Sequence, residues 1–172
     1  QMVFEKRADD LIVIFGFGHL TEKLIREAIE NTGISYVDWT ARKEVIDSKP
    51  ALHIYIEPKG NYIAREQSVA ASVYDELEKL DSVYHFNLHR FAYGDAMKFL
   101  GLKPIEITLL PQGAFAGYIS QRQAEGVDLG HLKPWCTNAS ESVPSLLGAP
   151  RVVVEAVPAE AERVATHWGE PR

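Results

Sequence analysis

The chain has 172 residues, 46% of them apolar and 24% charged, with a formal net charge of −6. That is enough for one sizeable core and too little for two. It is ordinary for a soluble globular domain, and it lacks the Lys/Arg cluster that a nucleic-acid-binding face requires. The single cysteine, Cys136, rules out an intramolecular disulfide framework and a multi-cysteine zinc site. It fits a reducing, cytoplasmic setting. No apolar run is long enough to span a membrane, and no signal-peptide pattern opens the chain. Gln1 ahead of Met2 suits the cut edge of a longer protein or a cloning remnant.

In chain order, Leu11–Phe15 is a short apolar run and predicts a buried strand. Gly16-Phe17-Gly18-His19-Leu20 reads as a turn into a helix over Thr21–Glu30. Thr21 is its expected N-cap, Glu22 suits the first turn, and Leu24, Ile25, Ala28 and Ile29 share a face. Ile34–Thr40 alternates as a strand, with Ser35, Val37 and Trp39 on one side. The polar stretch Ala41–Pro50 reads as a linker. In Ala51–Glu57, Leu52, Ile54 and Ile56 face inward, which leaves His53, Tyr55 and Glu57 on the outer face. Pro58–Asn61 is a turn. Val69, Val73, Leu77 and Leu80 mark a helix over Arg65–Leu80, and Asp81–Gly101 continues as helix broken at Gly94. Pro104–Leu110 is a further strand. Gln112–Ala124 predicts a helix in which Gly113 and Gly117 would admit a close backbone, with Gly126 as its stop. A loop follows, where Pro134 forces Lys133 into an extended conformation, and Arg151–Val157 is a last expected strand.

Strand, helix, strand, strand, helix, strand is the split βαβ succession. The expected fold is therefore α+β, a ferredoxin-like βαββαβ core with an added helix, lysine loop and tail. A four-stranded antiparallel or mixed sheet should have its two main helices on one face.

Three places carry candidate chemistry. Lys133 is a loop ammonium, and its plain alternative is a solvated surface lysine. Gly16–Thr21 places a Gly-x-Gly turn at a helix N-terminus, a possible anion site through Gly18 and Thr21. It is also part of a dinucleotide fingerprint, with Asp38 at a ribose-contact distance. The third glycine is replaced by Thr21 and only one βα repeat is present, so a turn that simply needs two glycines is the simpler account. His85 and His89 lie one helical turn apart, but no third ligand is evident and no metal site is assigned. Cys136 reads as a packed hydrophobe, because no histidine partner can be paired with it. Asn138-Ala139-Ser140 matches a glycosylation acceptor without any sign of secretion.

Several of these segments together resemble the C-terminal part of the plant auxin-responsive Gretchen Hagen family, acyl acid amido synthetases of the acyl-adenylate-forming superfamily. They are Gln112-Gly113-Ala114-Phe115, then a helix and Gly126, then His131-Leu132-Lys133-Pro134. Asp81-Ser82-Val83-Tyr84, Asp38-Trp39-Thr40-Ala41 and His167-Trp168 add to them. The chain departs from the family where an arginine would follow Lys-x-Pro; here Pro134 follows the lysine directly, with Trp135 next. The resemblance implies that residues 1–172 are one C-terminal domain whose partner is an N-terminal adenylation domain of the same chain. It implies ATP and Mg²⁺ as cofactors of the full-length enzyme and none for the isolated domain. Its substrates would be a small carboxylic acid and an amine, such as an amino acid. Lys133 would be the catalytic ammonium, and His19 stands where the family often carries a lysine, as a weaker phosphate partner. Two rival readings follow from the residues alone: a non-catalytic ferredoxin-like module for ligand binding or assembly, and a nucleotide-binding βαβ domain.

Overall fold

The computed structural model describes residues 11–14, 18–46, 49–60, 65–84, 105–128, 132–134 and 136–150. Its elements are β1 (Leu11–Ile14), β2 (Gly18–Thr21), α1 (Glu22–Asn31), β3 (Tyr36–Ile46), β4 (Lys49–Pro58), α2 (Glu66–Tyr84), β5 (Ile105–Leu109), α3 (Ala114–Ala124) and the short α4 (Ser142–Leu146). The class is α+β. β3, β4 and β5 form a mixed three-stranded sheet in that order, antiparallel between β3 and β4 and parallel between β4 and β5. The expected helix beyond Tyr84 with His85 and His89, the strand Arg151–Val157, and His131, Trp135 and Trp168 lie outside the described residues.

The expected four-stranded sheet is three-stranded among the described residues. Leu11–Ile14 instead pairs antiparallel with Gly18–Thr21, which the sequence suggested was a turn. Pairing Ile12 with Leu20 buries both side chains and satisfies two backbones at once. Within the segment considered for a dinucleotide turn, Gly18–Thr21 is strand and leads straight into α1 at Glu22.

The apolar core forms as the periodicity predicts. Leu24, Ile25, Ala28 and Ile29 of α1 and Val69, Val73, Leu77 and Leu80 of α2 are buried against Trp39, Ala41, Leu52, Ile54, Ile56, Ile105 and Ile107 of the sheet. Thr21 caps α1 as expected, its hydroxyl accepting the Leu24 N–H at 3.3 Å. At the open edge of β5, the Leu109 N–H donates to the Glu66 carboxylate at 2.8 Å, which blunts an otherwise unpaired edge group.

The stretch taken for a linker is strand. β3 runs on to Ile46 and β4 starts at Lys49, in continuous register from Trp39↔Ile56 to Ile46↔Lys49. Ala41 and Val45 are buried on this strand, and so is the carboxylate side chain of Glu44. Its polarity was misleading because the second face of the sheet is buried too. His53, expected on an outer surface, is 2% exposed, and Tyr55, Glu57 and Thr108 are buried beside it. What covers them is the segment after β5. Tyr55 packs with Leu110, with Phe115 and Tyr118 of α3, and with Ala139, Val143 and Leu147 around α4.

Glu57 fixes where α3 starts. Its two carboxylate oxygens accept the N–H groups of Gly113 at 2.7 Å and Phe115 at 2.9 Å. These are donors that the first helical turn cannot satisfy internally, and the negative charge sits at the positive end of the helix dipole. Gly113, at the N-cap, has φ +82°, a left-handed conformation that an L side chain adopts only with strain. At the other end Gly126 has φ +77°. Its N–H donates to Gln123 O while that of Val127 donates to Arg122 O, the two bonds of a Schellman ending. Gly117 does not admit a neighbouring backbone: a Cβ there would meet nothing within 4 Å.

Removing the Glu57 cap strands two donors at a buried helix end. Glu57→Ala is expected to cost about 2–4 kcal/mol in urea unfolding. Glu57→Gln should cost less, because one oxygen still accepts. Hydrogen exchange at the Gly113 and Phe115 amides should accelerate in Glu57→Ala; unchanged protection there would show that the cap does not hold α3.

Candidate functional site

A β-bulge opens the site. The β3–β4 register shifts between Tyr36 and Asp38, so the alternation expected over Ile34–Thr40 breaks. Val37 is exposed, while Trp39 is buried in the core. A bulge re-aims the side chains beside it. Here that side chain is Asp38, whose Oδ1 accepts the Trp39 backbone N–H at 2.9 Å. Its other oxygen, Oδ2, takes Lys133 Nζ at 2.9 Å, with the lysine side chain 52% exposed and the aspartate 21%.

The loop that carries Lys133 is tied down. Leu132 and Pro134 on either side are buried. Just beyond, the Ala41 N–H donates to Cys136 O at 2.8 Å and the Ala139 N–H to Ala41 O at 3.3 Å. The loop thus borrows backbone partners from the edge of β3 that no other described strand pairs. This differs from a loosely packed lysine loop, and the reason is the unpaired edge it covers. Partial burial draws the Lys133 amine down, but the Asp38 hydrogen bond leads the contributions that raise it above the ordinary lysine value. The side chain is a persistent cation.

Of the sequence-derived candidates, Thr21 precedes Glu22, the residue that links α1 to the Lys133 loop. The Glu22 carboxylate hydrogen-bonds the Cys136 thiol, which also feels the Lys133 charge. Glu22 pairs in turn with Arg26 one helical turn on. Burial pushes the Cys136 thiol up, away from the lowered range of a reactive thiolate, and the side chain packs against the main core. The Thr21 hydroxyl is occupied as the α1 cap. Gly18 and His19 lie in β2, opposite Ile14 and Val13. Asp38 is the residue that sequence reasoning missed as Lys133's partner. It appeared in the segment Asp38–Ala41 and as a ribose-spaced acid, but no local pattern links it to a lysine so far along the chain.

A buried polar cluster among the described residues lies elsewhere, on the second face of the sheet. Glu44 Oε2 meets His53 Nδ1 at 2.7 Å, His53 Nε2 meets Thr108 Oγ1 at 2.8 Å, and the Tyr55 hydroxyl donates to Glu44 Oε1 at 2.8 Å. Arg42 Nε lies 3.2 Å from Glu44 Oε1, and the His53 and Tyr55 rings stack at 4.1 Å. A carboxylate only accepts, so His53 Nδ1 carries the proton in its pair. Carboxylate, imidazole and hydroxyl in line is the order of a nucleophilic triad. Yet Thr108 and His53 are both buried, so the hydroxyl is not presented to solvent as a nucleophile must be. The cluster ties β3, β4 and β5 together across one face of the sheet. Among the described residues, no group of three or more His, Cys, Asp or Glu side chains could hold a metal ion, and no helix is long and apolar enough to cross a membrane.

No protein-family model matches the chain, and no curated protein does. Solved structures do. The chain is similar in fold to part of the GH3.15 acyl acid amido synthetase, with a TM-score of 0.54 and 16% identity over 85% of this chain and 26% of that one. A second chain, the AtGH3.15 acyl acid amido synthetase in complex with 2,4-DB, matches at TM-score 0.46 and 17% identity over 78% of this chain and 23% of its own. The present chain thus spans about a quarter of the length of the structures it matches.

Glu44 makes acid the test of the cluster. Burial alone would raise its carboxyl, but the His53 hydrogen bond and charge, with Tyr55 and Arg42, bring it below its ordinary 4.5. A group lowered in the folded state stabilises above its unfolded value and loses that contribution as pH falls through the folded one. Stability should therefore decline on acidification below about pH 4.5, and Glu44→Gln should flatten that decline in a urea series. At neutral pH, His53→Ala should cost about 2–4 kcal/mol, because it takes from a buried carboxylate one of its partners and strands the Thr108 hydroxyl.

Proposed function

We propose that this chain is the C-terminal mobile domain of an ATP-dependent acyl acid amido synthetase, which forms an acyl-adenylate and then passes the acyl group to an amine or amino acid. The observation that carries the reading is the fold likeness to part of an acyl acid amido synthetase over 85% of the chain. The Lys133 segment supports it, since a persistent, half-exposed cation stands at the edge of the sheet beside Asp38. On this reading the partner is an N-terminal adenylation domain of the same chain, which holds ATP, Mg²⁺ and the acid. Mg²⁺ bound with ATP would neutralise phosphate charge. Lys133 would add an ammonium where negative charge develops on the α-phosphate and pyrophosphate. His19, Gly18 and Thr21 are proposed as secondary contacts on the strand and cap that lead to Glu22. The setting is proposed to be cytoplasmic.

Two experiments test this. The 172-residue chain alone should support no pyrophosphate exchange with any acid, and exchange by it would sink the proposal. In the full-length enzyme, Lys133→Ala should slow adenylate formation by about 10²–10³-fold and leave transfer from preformed acyl-adenylate unchanged. Lys133→Arg should rescue poorly, because a planar fork places its charge differently from a compact ammonium. His19→Ala should matter less than Lys133→Ala. Equal loss of both half-reactions in Lys133→Ala would show a structural role instead.

A further inference from the structure

We propose that Asp38 is the positioning residue of Lys133: the bulged carboxylate holds the ammonium in place on the β3 edge before any phosphate arrives. This rests on the reading of Lys133 given above. Three observations carry it.

The first is that Asp38 is itself fixed. Its Oδ1 accepts the Trp39 N–H at 2.9 Å, and Trp39 is buried in the main core. The remaining oxygen is thereby held where it meets Lys133 Nζ at 2.9 Å. An exposed lysine ordinarily samples many rotamers of a four-carbon stem, and a fixed acceptor removes that freedom ahead of ligand binding. The second is that the lysine is not consumed by the pair. An ammonium has three donors, and this side chain is half exposed, with Asp38 as its carboxylate partner. Other donors remain for phosphate oxygens.

The third is the charge arrangement. Asp38 lies directly opposite Glu57 in the β3–β4 register, and like charges opposite one another are destabilising unless each is countered. Glu57 spends both oxygens on the Gly113 and Phe115 N–H groups. Asp38 has Lys133. The ion pair is therefore favoured from the aspartate's side as well as the lysine's. The surrounding charges are Glu22, which hydrogen-bonds Cys136, and Arg26, which pairs with Glu22. Neither displaces Asp38 from the lysine.

A positioning carboxylate and a trapping one predict opposite results. In the full-length enzyme, Asp38→Ala should slow adenylate formation by about 10–100-fold, the scale of a misplaced catalytic group, and leave transfer from preformed acyl-adenylate unchanged. Asp38→Asn keeps an acceptor oxygen and should recover most of the lost rate. The alkaline limb of the adenylation pH profile should move down in both variants. In the 172-residue chain, NMR of the Lys133 Nζ signal should show the amine pKa falling in Asp38→Asn. Faster adenylate formation in Asp38→Ala would mean the aspartate traps the lysine, and would overturn the inference. So would equal loss of both half-reactions, or an unshifted Lys133 amine. If Lys133→Ala is slow and Asp38→Ala is not, the positioning role fails alone. If Lys133→Ala is itself silent, the lysine reading fails and the inference falls with it.

Discussion

The Glu44 carboxylate is buried in the face of a β-sheet, and that single charge constrains much of what surrounds it. An ion in such a place is tolerated only with close partners. His53, Tyr55 and Arg42 supply them from the same two strands. Thr108 then ties the imidazole to β5 across the parallel pairing. The three strands are thus joined by side chains as well as by their backbones. Their polar face can leave water because Glu44, His53, Tyr55 and Thr108 bond one another, with Arg42 Nε close to Glu44 in charge contact but without a hydrogen bond. With those bonds made, the aromatic ring of Tyr55 becomes apolar surface on which Phe115, Tyr118, Val143 and Leu147 can pack. An apolar patch of that kind accepts many orientations of a covering helix. Glu57 selects among them, because its two oxygens match the amides of one helix start.

The same logic reaches the lysine. After α3 the chain returns across the domain to the far strand of the sheet, β3, where Cys136 and Ala139 share the backbone of Ala41. Asp38 and Glu57 stand opposite one another at the bulged end of the β3–β4 pairing. Both are answered by the segment that follows β5, one by backbone amides and the other by Lys133. Two neighbouring carboxylates on the sheet therefore pin two points of the covering segment. The loop conformation at Lys133 follows from how that segment is docked, and local propensity adds only the extended bias before Pro134.

How much of this was legible in the sequence depended on whether neighbours along the chain decided the outcome. Thr21 as a cap and the stripes of α1 and α2 are local facts, and they hold. So do the inward Leu52, Ile54 and Ile56. The readings that changed turn on strand or helix partners that the segment itself does not contain. His53, Tyr55 and Glu57 alternate with apolar residues as a solvent-facing set would, and alternation cannot say whether a later helix covers the polar side. Arg42, Glu44 and their neighbours look like a linker until the partners on β4 and β5 are known. Gly18–Thr21 looks like a turn until Leu11–Ile14 is seen to pair with it. Lys133 stands in a motif that the sequence displays. Asp38 was not identifiable as its partner, because the contact is made by a bulge and a returning loop, neither of which has a sequence signature.

A docked lysine loop also bears on how such a domain would work. If the ammonium hung on a slack segment, it could approach or leave a phosphate by local motion of the loop. Here Leu132 and Pro134 are buried, the following residues are bonded to β3, and the amine is held by an aspartate that is itself bonded to the core strand. Moving Lys133 by more than a side-chain swing would break several of these contacts together. Moving the whole domain would break none. On the proposed reading, adenylate formation and acyl transfer need the lysine present in one step and absent in the next. The contacts around it favour meeting that requirement by rotation of the domain as a body. The covering segment, with its two carboxylate anchors, is then what keeps the lysine in register with the sheet throughout the motion.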